Sequence, residues 1–429
     1  MSRLLPAVVV LACSAALSTQ ALAKDDLLET LAQNGSITLE QYEKIKGQRK
    51  GDLVVNTDDG FKLGTADGSF TMQVGTLLQL DTAVYTADKA DLADGSEFRR
   101  SRLSLGGTFY KDWQYRFEHE FSGTTGVTDA YVAYTALKPF VVTAGQFKQP
   151  FGMEALSADK NASFMERGLP FAFVTTRAPG VMLASSGARW SAAGGVFGEP
   201  VGNVQAGDEG YGLVARGTFA PLLEGNRVVH LGVAGVLRYP TAENSTNTTG
   251  ARFSTMRFRS KPESNVLAQR LVDIGEIRAV DDYRIGGVEL AAQQGALSLQ
   301  AEGHFVQVNR EVGKTLNFNG WYAQLAYTLT GEARPYKVEK GVFDGIRPTR
   351  NFGKDGWGAF ELAARLSAID LTSDTVKGGL ERNATLGVNW YLNPLLRVTG
   401  NVVRVLRTEG GAFDSEEPTI YQLRMQLAI

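Results

Sequence analysis

The chain has 429 residues, with 44 lysines and arginines against 46 aspartates and glutamates, 48 glycines, 13 prolines and one cysteine. A net charge of −2 argues against a nucleic-acid binder on global charge, and a single cysteine excludes a disulfide scaffold. No apolar run beyond the first segment is long enough for a transmembrane helix, so a membrane role would require a closed β-barrel.

The first residues, Met-Ser-Arg, precede an apolar run from Leu4 to Leu17 and the small-residue site Ala21-Leu22-Ala23. This pattern predicts a secretory signal peptide over 1–23, with the only cysteine, Cys13, inside it. A lipoprotein reading of Leu11-Ala12-Cys13 would leave an unusually short apolar run. The exported chain would then rely on a large fold rather than on disulfides for its stability. Residues 24–60 read as a short helical arm: Leu27, Leu28 and Leu31 form one stripe, Asn34-Gly35 breaks it, and Thr38-x-x-Gln41 is spaced as a cap for a second helix.

From residue 61 onward the expectation is one barrel domain, 61–429. At Phe70 the period becomes two: Phe70, Met72, Val74, Leu78, Leu80 and Val84 alternate with polar and small residues. The same signature predicts sixteen strands, at about 70–85, 98–109, 113–122, 127–135, 140–147, 180–186, 188–198, 210–220, 227–238, 283–293, 295–309, 318–330, 357–370, 378–392, 395–407 and 420–429. The fold class is therefore all-β, a sixteen-stranded antiparallel transmembrane barrel with inward-folded loops and a helical N-terminal arm.

Connections carry the pattern further. Tight ones at Tyr110-Lys111-Asp112, Ser186-Gly187, Gln294-Gly295 and Asn393-Pro394 alternate with long ones at 86–97, 148–179, 199–209, 239–282 and 408–419. Short turns on one face and long loops on the other mark an outer-membrane barrel. Phe109, Tyr110, Trp113, Tyr134, Phe140, Trp390 and Tyr391 gather beside the short turns, as an interfacial girdle would. One connection on that face, 331–356, is long and basic. In the last strand Tyr421, Leu423, Met425, Leu427 and Ile429 share one face, and Gln422, Arg424 and Gln426 the other. An arginine and two glutamines face lipid only at high cost, so that second face should line water. A barrel of sixteen strands leaves an aqueous lumen.

The stretch Phe147–Pro170 follows a strand but has no strand period. Pro150-Phe151-Gly152 bends the chain. Ser163 and Glu166 are spaced as a capping box for one short helical turn, which Gly168 and Pro170 would stop. Phe151, Met153, Leu156, Phe164, Met165 and Leu169 are too apolar for solvated disorder, so this loop is expected to pack against the inside wall of the barrel.

The blocks Phe98-Arg99-Arg100-Ser101-Arg102-Leu103, Lys111-Asp112-Trp113, Asp129-Ala130-Tyr131, Gly145-Gln146-Phe147-Lys148-Gln149-Pro150-Phe151-Gly152 and Phe164-Met165-Glu166-Arg167 resemble the phosphate-selective porins O and P. So do Phe258-Arg259-Ser260-Lys261-Pro262-Glu263 and Gly331-Glu332-Ala333-Arg334-Pro335-Tyr336. The resemblance covers essentially the whole barrel. It implies a homotrimeric, anion-selective channel of the bacterial outer membrane, embedded in outer-membrane lipid, for passive uptake of inorganic phosphate or related anions. It also implies extracellular loops and one long periplasmic connection folded into the lumen. No cofactor, metal or nucleic-acid partner is expected. The chain ends in Ile429, where many barrels end in an aromatic residue.

Phosphate loses hydration in a narrow pore, and fixed cations must compensate; permeation then needs several moderate sites rather than one deep well. Arg252, Arg257, Arg259 and Lys261 form a local basic excess that the resemblance makes a candidate arginine ladder; the plain alternative is a solvated surface loop. Strand parity places Leu103, Leu105 and Phe109 outside and Arg100 and Arg102 inside, while Arg99 needs a bulge or a position above the membrane. Lys160 matches by motif position the constriction lysine of the relatives, unless it pairs with Asp159 or Glu166. If it stays free, Glu154, Asp159 and Glu166 must be tied up by basic partners such as Arg167.

Three other readings remain. One is a wider pore for organic anions or neutral solutes. A second is a barrel enzyme, which needs a nucleophile and a base, whereas His119, His230 and His304 lie on separate strands and His119 shares an outward face with Phe117 and Phe121. The third is a secreted β-adhesin.

Overall fold

Residues 29–48, 52–57, 60–86, 89, 92–123, 125–200, 209–240, 254–353 and 356–429 are described by the computed structural model. The signal-peptide reading, Cys13 and Arg252 fall outside them. The sixteen wall strands are β3 (Phe70–Thr86), β4 (Gly95–Phe109), β5 (Trp113–Glu120), β6 (Gly126–Tyr134), β7 (Phe140–Lys148), β8 (Arg177–Ser186), β9 (Trp190–Phe197), β10 (Tyr211–Glu224), β11 (Arg227–Tyr239), β16 (Val280–Gln294), β17 (Leu297–Arg310), β18 (Leu316–Thr328), β21 (Ala359–Ser373), β22 (Val376–Tyr391), β23 (Leu396–Glu409) and β24 (Thr419–Ala428). Each pairs antiparallel with its neighbours, and β24 closes on β3 with Leu427 opposite Leu78 and Tyr421 opposite Val84.

Below that seam β3 takes a second partner. A hairpin of β1 (Leu53–Asn56) and β2 (Phe61–Thr65) pairs with Thr71–Val74, beneath the Ile429–Thr76 backbone bonds. Before it, Leu39–Gln48 is a helix, and Thr38 and Gln41 make the reciprocal cap their spacing predicts.

The alternation works as a lipid/water code. In β24 Leu423 and Met425 are more than half exposed on the outer wall, while Arg424 between them is buried inside. Tight turns at 110–112, 187–189, 225–226, 295–296 and 392–395 mark one end. Tyr110 and Lys111 take positive φ in the three-residue turn between β4 and β5 without a glycine. Beside these turns Phe109 stacks on Trp113 (centroids 5.8 Å), Trp113 meets Tyr134 (4.7 Å) and Phe360 stacks on Trp390 (5.8 Å), forming the aromatic girdle. Tyr391 is a correction: one residue beyond Trp390, parity turns it into the lumen, where it is buried against Glu361 and Arg397.

Three long segments fold inward, two from the long-loop end and one from the turn end. The loop between β7 and β8 packs Phe151, Leu169 and Phe173 on Phe318, Ile285 and Ile369 of the far wall. The loop between β11 and β16 carries short pairs β12 (Thr255–Met256) with β15 (Ile277–Arg278), and β13 (Arg259–Ser260) with β14 (Val272–Asp273). From the turn side, the 331–356 connection, with its pair β19 (Tyr336–Lys337) and β20 (Val342–Phe343), buries Val342 and Phe343 on Met153, Val228 and Ala291. The middle is therefore not uniformly watery. Loops fill the side bounded by β16–β22, and open space remains toward β3–β10.

The expected capping box at Ser163 and Glu166 does not form. Each side chain is held by an arginine instead, Ser163 Oγ accepting from Arg334 (2.8 Å) and Glu166 from Arg99 (2.8 Å). The helical turns lie on either side, at Met153–Leu156, Asp159–Asn161 and Leu169–Phe173. Gly168 and Pro170 open the last of these rather than stopping a helix, since proline suits a first turn, where no N–H is needed.

Candidate functional site: a cation-lined passage

Two cavities lie end to end along the open side of the lumen. The outer one, about 370 Å³, is under the long loops and is lined by nine lysines and arginines against three carboxylates. The inner one, about 570 Å³, is lined by seven lysines and arginines against four carboxylates. Arg102, Lys148, Asp159 and Arg177 border both, which makes them the neck.

Strand and loop chemistry put them there. In β4 the register slips between Gln79 and Leu80, which face Arg100 and Phe98; Arg99 is the extra, bulged residue. That bulge lets Arg99, Arg100 and Arg102 all reach the lumen although strict alternation admits only two. Arg99 donates to Glu166 through Nε (2.8 Å) and Nη2 (3.0 Å). Arg100 donates to Gln79 (2.7 Å) and faces Asp159 (3.2 Å). Arg102 bonds Glu120 (2.6 Å) and Asp159 (2.7 Å).

The inward loop keeps its carboxylates paired. Asp159 also accepts from Arg167 (2.7 Å), Glu166 from Arg424 (2.9 Å) and Glu154 from Arg365 (3.3 Å). Burial pushes the Asp159 carboxyl up, but Arg100, Lys148, Arg167 and Arg102 more than offset it and hold it well below the usual range. With the acids occupied, Lys160 is exposed and has no ion pair among the described residues; it lines the inner cavity. Partial burial lowers its pKa, while Asp344 acts the other way.

The 254–279 loop is anchored at its tip. Glu263, at φ 52, is buried, and Arg365 (2.6 Å), Ser367 and Thr385 (2.5 Å) donate to its carboxylate, while Gln422 donates to its carbonyl (3.0 Å). Upstream of this anchor, Lys261 donates to Asn265 O (2.7 Å) and Arg259 has no ion pair among the described residues; both line the outer cavity. Arg257 differs, since Asp273 holds it in a pair at an exposed position. The structure thus brings Arg99, Arg100, Arg102, Arg259 and Lys261 to the outer cavity and Lys160 to the inner one, but leaves Arg257 apart.

Lys148, Arg177 and Arg270 line the same passage, and sequence reasoning gave them no role. The strand expected at 180–186 begins earlier, its ladder running back to Arg177, opposite Lys148. Lys148 ends β7, where it donates to the carbonyls of Ala155 (2.7 Å) and Ser157 (3.0 Å). The 331–356 segment adds Lys340 to the inner cavity, and the Arg216 side chain grips its backbone at Lys340 O (2.6 Å) and Gly341 O (2.8 Å).

Residues 72–429 match the family described as phosphate-selective porin O and P. The chain belongs to that family. It is an outer-membrane barrel channel, with a closed wall and a passage along its lumen. Porin O of Pseudomonas aeruginosa is 29% identical over 385 residues, covering 82% of this chain and 87% of its own length. An uncharacterised Caulobacter vibrioides protein is 30% identical over 333 residues, 75% of this chain and 64% of that protein. Among solved structures, an anion-selective porin from Comamonas acidovorans aligns at a TM-score of 0.54 with 12% identity, over 84% of this chain and all of that one. The DcaP channel of Acinetobacter baumannii aligns at 0.51 with 12% identity, over 86% and 99% of the two chains. These structural likenesses bear on the fold alone.

Proposed function

We propose that this porin is a trimeric, anion-selective channel that passes phosphate-like oxyanions passively from the outer face to the periplasm. The observation that carries the reading is the excess of cations along both cavities, with Arg259, Arg270, Lys160 and Lys340 lacking ion pairs among the described residues. Loops draw the anion into the outer cavity, the neck strips part of its hydration, and Lys160 and Lys340 receive it on the inner side. Arginine forks match the oxygens of phosphate at the outer side, and lysines act as point charges beyond the neck. Arg99, Arg100, Arg102, Lys160, Arg252, Arg257, Arg259 and Lys261 are the pathway residues proposed from sequence. Lys148, Arg177 and Arg270 join them on geometry, and Arg257 is the weakest member because Asp273 already neutralises it.

A second reading, a path for larger organic anions, is favoured by the size of the inner cavity and by Tyr131 and Phe147 on its wall. The three histidines are engaged by the wall and the inward segments. His230 sits between Tyr336 (2.7 Å) and Glu289 (3.2 Å), His304 between Pro170 O and Glu302, and His119 against Phe121. No serine, threonine or cysteine hydrogen-bonds a histidine among the described residues.

Planar-bilayer recording tests the proposal. A potassium chloride gradient should give an anion-selective reversal potential, and added inorganic phosphate should block the chloride current at millimolar concentration or below. A cation-selective or unselective pore would refute it. Block by organic phosphates or carboxylates but not by inorganic phosphate would transfer the function to the second reading.

A further inference from the structure

The outside of the barrel carries a charge pattern that the passage does not use. On β22 Glu381 and Asn383 are buried inside, so Arg382 between them points outward, where it is exposed. Arg407 of β23 stands directly opposite it, and Arg404 stands opposite Ala384. The register slips between these pairs, leaving Leu406 as the extra residue, so that Arg404, Leu406 and Arg407 all reach the outside. Two arginines face to face across a ladder repel each other. Arg407 pairs with Glu409. Arg404 donates to the Glu417 carbonyl (2.6 Å) and to Thr419 Oγ1 (3.1 Å), with the Glu417 carboxylate 3.9 Å away. Arg382 has no ion pair among the described residues.

Their height on the wall is the second observation. Trp390, in the aromatic girdle at the turn end, lies eight residues from Arg382 on the same face of β22. At about 3.3 Å per residue and a tilt of about 40°, that distance climbs roughly 20 Å, close to the ~25 Å height of the apolar band. The arginines therefore sit at the outer edge of the lipid, on the side of the long loops. Just below them the wall is apolar: Leu386 pairs with Val402, Val402 with Tyr421 and Tyr421 with Val84, all four exposed. Elsewhere on this rim β17 and β18 present the neutral pair Gln307 and Asn317, and Arg284 of β16 is matched by Asp282 (3.1 Å).

We propose that the β22–β23 rim is a lipid-docking surface: Arg382, Arg404 and Arg407 hold the phosphate of an acylated, phosphorylated lipid of the outer leaflet, whose chains lie on Leu386, Val402, Tyr421 and Val84. The inference uses only the barrel's place in the membrane and is independent of what passes through the lumen. A phosphate offers its oxygens to more than one guanidinium fork at once, and its charge removes the repulsion between Arg382 and Arg407. Glu409 and Glu417 leave the cluster one positive charge in excess, so an anion is still favoured there. A free phosphate ion has no use for the apolar face beneath, whereas a lipid of this kind fills both parts of the surface.

The experiment uses full-length channel purified in a neutral detergent, diphosphoryl lipid A as the probe and native mass spectrometry as the readout. Wild type should retain the lipid. Arg382→Gln, which breaks no contact within the wall, should raise the half-occupancy concentration about fivefold, and the triple variant with Arg404→Gln and Arg407→Gln about fiftyfold or more. Arg284→Gln should bind as wild type does, and lipid stripped of its phosphates should bind at least tenfold more weakly. Equal retention by the triple variant, or equal binding of the stripped lipid, overturns the proposal. Displacement of the lipid by millimolar inorganic phosphate overturns it in favour of a free-anion site. Loss of the oligomer in the triple variant overturns it in favour of a contact between copies of this chain.

Discussion

Replacing Arg365 with leucine tests what keeps the outer loop inside the barrel. Arg365 is buried on β21 and donates to Glu263 (2.6 Å), to Glu154 (3.3 Å) and to the carbonyl of Glu166 (3.0 Å). It joins both inward loops to the wall. Leucine restores bulk but leaves two buried carboxylates without their cation, and a buried acid in that position takes up a proton rather than stay charged. Holding an ordinary carboxylic acid of pKa about 4.3 neutral at pH 7 costs about 3.7 kcal/mol, and at pH 5 about 1 kcal/mol. Burial already pushes the Glu154 carboxyl up to about 7, against the pull of Arg365 and Arg167, so losing Arg365 favours its neutral form further. The penalty is thus full at neutral pH and shrinks as pH falls, because acid supplies the missing proton. A penalty of roughly 3–4 kcal/mol is comparable to what a loop anchor contributes, so the 254–279 loop should leave the lumen. Single-channel recording should then show larger, noisier conductance in Arg365→Leu at pH 7 and quieter, wild-type-like events at pH 5. Wild-type conductance and noise at pH 7 would refute this account of the anchor.

The remaining predictions are simpler. Lys160→Ala removes an exposed cation about 4 Å from a passing anion, worth about 1 kcal/mol per unit charge in water, so phosphate block should weaken by roughly 5- to 30-fold, less at high salt. In wild type the same block should weaken as pH rises, and at lower pH than for an ordinary lysine, because partial burial lowers the Lys160 pKa and deprotonation removes the charge. A titration of block that Lys160→Arg leaves unchanged would contradict this. Gly107→Val should abolish assembly, since a Cβ there would lie 1.9 Å from Thr71 O in the β3–β4 ladder; normal recovery of a heat-modifiable oligomer would show that the wall tolerates it.

Local pattern alone determined the wall. Period-two alternation, short turns against long loops and a polar face on Gln422, Arg424 and Gln426 predict which residues meet lipid and which meet water, because a strand that crosses lipid has no other way to distribute its side chains. The same logic placed Arg100 and Arg102 on the lumen side and asked of Arg99 either a bulge or a position above the membrane, of which the structure has the bulge. The motifs of the inward loop also marked Lys160 and the need for its acidic neighbours to be paired.

Only the tertiary structure decided which cations remain available. Arg257 and Arg259 are two residues apart, yet Asp273 pairs with Arg257 while Arg259 lines the passage, although the β13–β14 register sets Arg259 opposite Asp273. Glu263 looks like any loop acid until the fold carries it across the lumen to Arg365. Asp159 becomes part of the neck because a loop tip, a wall bulge and Arg167 converge there. Charge pairing across such distances depends on where loops end in space, and no spacing along the chain encodes it.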